Sequence, residues 1–218
     1  MTRPTVVVAT RNRGKLKEIL RLLESAGLDI DLATIDELAP GVALLEDEAT
    51  FEGNALAKAR QAAAATGLPA LADDSGLEVD ALGGAPGVWS ARYAGEPSDD
   101  ERNNVKLLAA LRGVPPEKRS AHFKCVAAFV DPGAGIELVR GGACAGQILE
   151  QPRGDQGFGY DPLFYLPPQA RTMAELDLDE KNALSHRAAA FRALAAAIRI
   201  AIAPESRTKS PTSAKPAP

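Results

Sequence analysis

Three β-branched residues, Val6, Val7 and Val8, open the apolar pattern, and from Lys15 the apolar positions Leu16, Ile19, Leu20, Leu22 and Leu23 recur at helical spacing until Gly27. That pattern predicts a strand, a turn and a helix. A second strand is expected around Ile30 to Thr34, then an acidic loop, "LLEDEATFEGNA", then a helix from Phe51 to Thr66 closed by Gly67. "LPALADDSG" reads as a short buried strand ending in polar residues, and "LGGAPGVWSARYAGE" as a Gly/Pro-punctuated loop. An amphipathic helix is predicted over 99–112, and two long strands over 120–131 and 136–149 joined by "DPGAG", an antiparallel hairpin able to form a second lobe. Thr172 and Glu175 match a capping box, and Phe191, Leu194 and Ile198 make the buried stripe of a last helix. Strands that alternate with helices and then pair as a hairpin imply an α/β fold with a mixed central sheet flanked by helices. Residues 1–203 are expected to form one domain of two lobes, and "PESRTKSPTSAKPAP", residues 204–218, a disordered Pro/Ser-rich tail.

The chain has 218 residues, 45% hydrophobic and 25% charged, with a net charge of -4, which rules out a general attraction to nucleic acid or to an anionic membrane. Basic clusters must act locally. The first apolar run is too short for a signal peptide and no run is long enough to cross a membrane, so a cytoplasmic location is expected. Cys125 and Cys144 lack metal-site spacing and read as reduced core thiols. His122, within "AHFKC", has no evident partner and reads as structural.

The stretch "ATRNRGK" lies where the first strand meets its helix. A Walker loop would need Gly at position 9 and Ser or Thr at 16, and the chain has Ala9 and Leu16. The physical ingredients of phosphate binding nevertheless remain. A helix start carries partial positive charge, and Thr10, Asn12 and Lys15 add a hydroxyl, an amide and an ammonium. Charges merely solvated around a helix start would read the same way. In "ADDSG" two adjacent aspartates point to opposite sides of a strand, so one can face a cleft while the other braces a turn. Carboxylates placed so can hold Mg²⁺ or take a proton from water, and an Asx-type turn is the alternative.

Glu46, Asp47, Glu48 and Glu52 surround the start of the second helix, where Asn54 and Lys58 share a face. Those two could meet phosphates or simply be a surface amide and lysine. "GDQGFGYDP" sets glycines around Phe158 and Tyr160, a loop able to present an aromatic ring to a flat base, or to bury it in the core. "EKNALSHR" supplies Lys181, His186 and Arg187 as the last helix begins. These donors suit a phosphate or a base carbonyl, and the histidine equally suits a cap.

Taken together, "ATRNRGK", "FEGNALAKA", "LADDSGLEVDALGGAPGVWSARYAG", "GFGYDPLF" and "EKNALSHR" strongly resemble the inosine triphosphate pyrophosphatase family, in the family's order and over residues 6 to about 202. The resemblance implies an elongated α/β fold, two lobes around a deep cleft, and a homodimer. It implies Mg²⁺-dependent hydrolysis of ITP, dITP and XTP to the monophosphate and pyrophosphate, which cleanses the nucleotide pool. By position, Thr10, Arg11, Asn12, Arg13, Gly14 and Lys15 would bind substrate, Asp74 would be general base and metal ligand, and Ser75 would contact the nucleotide. Lys58, Phe158, Gly159, Tyr160, Asp161, Lys181, His186 and Arg187 would complete the site, the later blocks largely reading the base. The chain departs from many relatives at Gly53, where they read F-x-E-N-A, and in offering "EDEAT" for the usual E-T-G; Glu46 is taken as the second metal carboxylate.

Water would then attack in line near the α-phosphate, with Asp74 drawing off its proton and pyrophosphate leaving. Donors such as Arg187 would select the 6-keto edge, and Arg187→Ala is expected to raise KM for ITP more than it moves the melting temperature. The rivals are a Maf-like pyrophosphatase acting on pyrimidine or modified triphosphates, a non-catalytic nucleotide sensor and a nucleic-acid-binding protein. The "SHR" and "FGYD" blocks, the intact aspartates and the acidic balance argue against them in turn.

Overall fold

A computed structural model of the chain describes residues 3–201, so the 204–218 segment lies outside the described residues. The β-branched run forms β1 (Thr5–Val8), which feeds α1 (Arg13–Ser25), and the chain returns as β2 (Asp31–Thr34), α2 (Ile35–Leu38) and α3 (Phe51–Thr66). β3 (Ala70–Val79), α4 (Asp100–Ala110), β4 (Ser120–Asp131) and β5 (Ile136–Ile148) follow. Short strands β6 (Phe164–Leu166) and β7 (Arg171–Thr172) precede α5 (Leu178–Leu184) and α6 (His186–Ala201).

The seven strands form one mixed sheet in the order β2-β1-β3-β4-β5-β6-β7. β1 is parallel to both β2 and β3, and every later pairing is antiparallel. The hairpin extends this sheet directly, because β4 pairs with ten residues of β3 before pairing with β5. α1 and α6 bury Ile19, Leu22, Leu23, Phe191, Leu194 and Ile198 on one face, while α3 packs Ala55, Ala59, Ala62 and Ala63 on the other. β1 therefore leads to helices on opposite faces through its two parallel neighbours. A third apolar cluster, with Leu77, Val79, Leu107, Ala121, Phe123 and Phe164, covers the far half of the sheet.

α3 has the bounds the sequence predicts, since the Thr50 side chain accepts from the Gly53 N–H and Gly67 ends it in the left-handed region at φ 70°. β3 differs. The strand expected to end at its polar residues runs on through Asp73, Asp74 and Ser75 to Val79, sustained by the β4 ladder. The capping box at Thr172 and Glu175 is present and opens a short 3-10 turn. Cys125 is buried, Cys144 half-buried, and both are free. His122 is not isolated: its Nδ1 stands 3.7 Å from Asp80, which also accepts from the Ser120 hydroxyl. No helix among the described residues is long and apolar enough to cross a membrane.

Candidate active site

In open α/β sheets a crevice forms at the carboxyl ends of parallel strands where the flanking helices diverge to opposite faces. Here that point is the end of β1, beside β3, where the polar stretch Asp73–Ser75 separates the apolar clusters. A cavity of about 400 Å³ opens there. Thr10, Arg11, Asn12, Lys15, Glu46, Lys58, Asp74, Ser75, Phe158, Gly159, Tyr160, Asp161, Lys181, His186 and Arg187 all line it. Arg13 and Gly14 do not: Arg13 is exposed, and Gly14 lies behind the wall against the Phe158 ring.

Asn12 caps α1, its side-chain oxygen accepting from the Lys15 N–H at 2.9 Å, and the Thr10 hydroxyl accepts from the Asn12 N–H at 3.3 Å. These bonds fix the turn and leave the Asn12 NH2 group free to donate. Arg11 turns to Asp36 at 2.8 Å while still bordering the cavity.

Asn54 and Lys58 are buried, not a surface pair. The Asn54 amide donates to Asp74 Oδ2 at 2.9 Å, and Lys58 Nζ donates to Glu46 while standing 3.6 Å from Asp74 Oδ1. Burial raises the Asp74 carboxyl above its ordinary 3.8 against the pull of Lys58 and Lys15, and the neighbouring Glu46 charge adds to the rise. Burial acts the same way on Glu46, but Lys58 prevails and holds it below its usual range. Two carboxylates that share one ammonium are close enough to share one metal cation. No group of three or more His, Cys, Asp or Glu suited to a metal exists among the described residues, so a cation held here would have positions open to substrate oxygens or water.

Asp73 does not brace a turn. It is fully buried, 3.5 Å from Lys15 Nζ and 3.2 Å from Arg187 Nε. Burial would raise its carboxyl, and Lys15 and Arg187 hold it far below the ordinary value. Arg187, only 1% exposed, also donates to Glu18 and to the Ser75 hydroxyl at 2.8 Å. Glu18 pairs in turn with Lys181 at 2.7 Å, and Lys181 with Asp161. His186 stacks on Phe123 with ring centroids 4.8 Å apart, and burial together with Arg187 and Lys181 pushes its pKa well below 6.5, so it is neutral.

Phe158 packs on the first turn of α1, and a Cβ on Gly14 would come within 2.4 Å of its ring. Lys181 Nζ sits 4.8 Å from the ring centroid. Behind the loop the Tyr160 hydroxyl donates to the Ser90 carbonyl at 2.8 Å. The cavity thus gathers a capped helix start, cations, paired carboxylates and an aromatic ring that packs on that same helix start. That set of groups suits a nucleotide with its phosphates toward Lys15 and Asp74.

A model of the Ham1 family matches residues 6–197. The chain belongs to the Ham1 family. Among curated proteins it is similar to a dITP/XTP pyrophosphatase of Geobacter sulfurreducens, 54% identical over 194 residues, covering 89% of this chain and 95% of that one. A dITP/XTP pyrophosphatase of Frankia alni is 52% identical over 199 residues, covering 89% and 96%. Among solved structures, a HAM1 protein from Coxiella burnetii superposes with TM-score 0.80 at 44% identity, covering 90% of this chain and 99% of the other.

In this Ham1 chain several residues that support or line the cavity carry little or no signal in the sequence. Glu18 links Lys181 to Arg187, and its only signal is an acid at position i on the α1 stripe that continues with Leu22 at i+4. Arg92 donates to the Glu46 carbonyl at 2.9 Å, and Asp100 accepts from the Gly159 N–H. Arg92 lies in the same sequence block as Asp74 and Asp100 shortly after it, and no spacing singles either out.

Proposed function

We propose that the chain hydrolyses the non-standard purine nucleoside triphosphates ITP, dITP and XTP to the monophosphate and pyrophosphate, with Mg²⁺ as cofactor. The observation that carries this reading is the meeting, in one cavity, of a capped cationic helix start, two converging carboxylates and an aromatic loop. The name dITP/XTP pyrophosphatase borne by the similar curated proteins supports the same substrate class.

Asp74 and Glu46 would hold Mg²⁺, which when bound neutralises phosphate oxygens and sharpens the electrophilicity of phosphorus. Asp74 takes the proton of the attacking water. Asn54 fixes the orientation of that carboxylate. Lys15, Lys58 and Lys181 offset the charge that develops on the departing pyrophosphate, and attack is in line. No nucleophilic side chain is required, consistent with Cys125 being buried and raised well above an ordinary thiol.

Phe158 stacks on the base, and the 6-keto oxygen accepts from Arg187. Three of that guanidinium's five N–H groups are engaged within the protein, leaving two. Adenine offers a donor at that edge and is rejected, whereas guanine shares the 6-keto oxygen and must be excluded through its 2-amino group. The protein acts in the cytoplasm as a homodimer, with residues 1–203 as one unit whose lobes are the sheet halves on either side of Asp73–Ser75. Pyrophosphate release from ITP, dITP, XTP, GTP and dTTP with and without Mg²⁺ tests the reading. Release confined to the first three nucleotides and abolished by chelation is expected. No release from any of them, or equal release from GTP and dTTP, refutes it.

A further inference from the structure

Helix α4 contributes one residue to the cavity wall, Asp100, yet it grips the apex of the aromatic loop. The Gly159 N–H donates to the Asp100 carboxylate at 2.7 Å, and the Asn104 amide donates to the Gly159 carbonyl at 2.9 Å. Residues four apart lie one above the other on a helix face, so this pair holds both backbone polar groups of one residue. That residue needs holding. Gly154, Gly157 and Gly159 all have positive φ, and a segment so rich in glycine has more backbone freedom to lose than any other. A Cβ added at Gly159 would meet nothing within 4 Å, so the apex is fixed through its polar groups and not by packing. Other ties of the loop run from the Phe158 N–H to Asp161 at 2.9 Å, from the Asp161 N–H to the Phe158 carbonyl at 3.3 Å, from the Gln156 N–H to the Ala174 carbonyl at 3.0 Å and from Tyr160 to Ser90, and the Phe158 ring packs on Gly14. A carboxylate accepting from a backbone N–H makes the stronger, charge-assisted kind of bond.

We propose that Asp100 and Asn104 are positioning residues for the purine base: by clamping the Gly159 peptide they fix the Phe158 ring over the cavity, so base recognition depends on α4 while the phosphate grip does not. This rests on the nucleotide reading above, with Phe158 as the base platform. In the full chain, Asp100→Ala and Asn104→Ala should each raise KM for dITP and XTP about tenfold or more, with kcat changed much less. The inhibition constant of tripolyphosphate, which has no base, should stay at the parental value. Asp100→Asn keeps an acceptor for the Gly159 N–H and should fall between parent and Asp100→Ala. Amide hydrogen exchange over 157–161 should accelerate in both alanine variants at unchanged melting temperature.

A KM within about twofold of the parent, or tripolyphosphate inhibition weakened in parallel, overturns the assignment. So does unaltered exchange in the loop. A parent that releases no pyrophosphate sinks the functional reading alone, because exchange on the same proteins still decides whether α4 holds the loop.

Discussion

Replacing Arg187 by alanine should cost the protein more stability than any other single change at the site. The guanidinium is fully buried and ties α6 to two elements, donating to Asp73 at 3.2 Å and Ser75 at 2.8 Å on β3 and to Glu18 on α1. Its removal leaves Asp73 with Lys15 at 3.5 Å and Glu18 with Lys181 at 2.7 Å, each carboxylate short of a partner in a dry setting. Breaking a buried pair from one side costs about 3–5 kcal/mol, against a total stability of roughly 5–15 kcal/mol. For a chain of this size that is a fall of roughly 6–20 °C in melting temperature. The effect on KM expected from the sequence would then be overlaid by a large structural one.

The pH dependence checks the cause. Both carboxyls sit below their ordinary values of 4.5 for Glu18 and 3.8 for Asp73, despite burial, because Arg187 and its neighbouring cations favour the ionised forms. Their contribution is therefore complete above those values and lost as the pH falls through the lower values of the folded state. Urea unfolding of parent and variant should show the full gap at pH 7 and a narrowing gap below about pH 4.5. Glu18→Gln in the Arg187→Ala background should restore part of the loss by removing the stranded charge. A melting temperature within about 2 °C of the parent would refute the argument, since that corresponds to less than about 1 kcal/mol.

Other variants probe separate steps. Asp74→Asn should keep the fold and lower kcat for dITP by about 10²–10⁴, and near-parental turnover in a folded variant would remove the general-base role. His186→Phe retains the stack on Phe123 and deletes a group whose pKa is depressed by burial and by Arg187. Below pH 6.5 the unfolded parent takes up a proton that the folded parent refuses, so the parent alone should lose up to about 1.4 kcal/mol per pH unit there; parallel stability curves would contradict it. Gly14→Ala should not raise the melting temperature, because its Cβ would come within 2.4 Å of the Phe158 ring and offset any gain in helix propensity, and it should raise KM because the ring is displaced. Unchanged KM with a folded variant would show that the ring does not need that contact.

Much of the fold was legible because local signals and tertiary demands coincide. The helix from Phe51 to Thr66 carries its own cap and its own glycine stop, and the two long strands around "DPGAG" are marked by a turn that needs no partner to be recognised. β3 was misjudged at its end for a long-range reason. Asp73, Asp74 and Ser75 look like a strand's polar exit, and only the β4 ladder with cations from α1, α3 and α6 makes them tolerable inside one. Arg187 lies 114 residues from Asp73, beyond the reach of any spacing argument. Lys58 and Asn54 stayed ambiguous because α3 is alanine-rich on several faces, so its pattern does not say which face is covered.

The basic turn that begins the chain suggests a strongly positive site, and the structure moderates that impression. Arg13 and Lys17 are exposed and do not line the cavity, and Arg11 is paired with Asp36. The cavity wall itself carries five cations, Arg11, Lys15, Lys58, Lys181 and Arg187, against four carboxylates, Glu46, Asp74, Asp100 and Asp161, and the buried Asp73 and Glu18 behind it already pair with Lys15, Lys181 and Arg187. No positive excess is left to neutralise a triphosphate, and burying an unmatched phosphate charge is costly. The balance changes only if a divalent cation enters with the nucleotide, satisfying Asp74 and Glu46 and releasing Lys58 from its bridge between them. Nucleotide binding without Mg²⁺ should accordingly be weak, and isothermal titration of a non-hydrolysable dITP analogue into the parent protein with and without the metal would measure the difference. Equal affinity in the two titrations would show that the side chains alone suffice for the triphosphate.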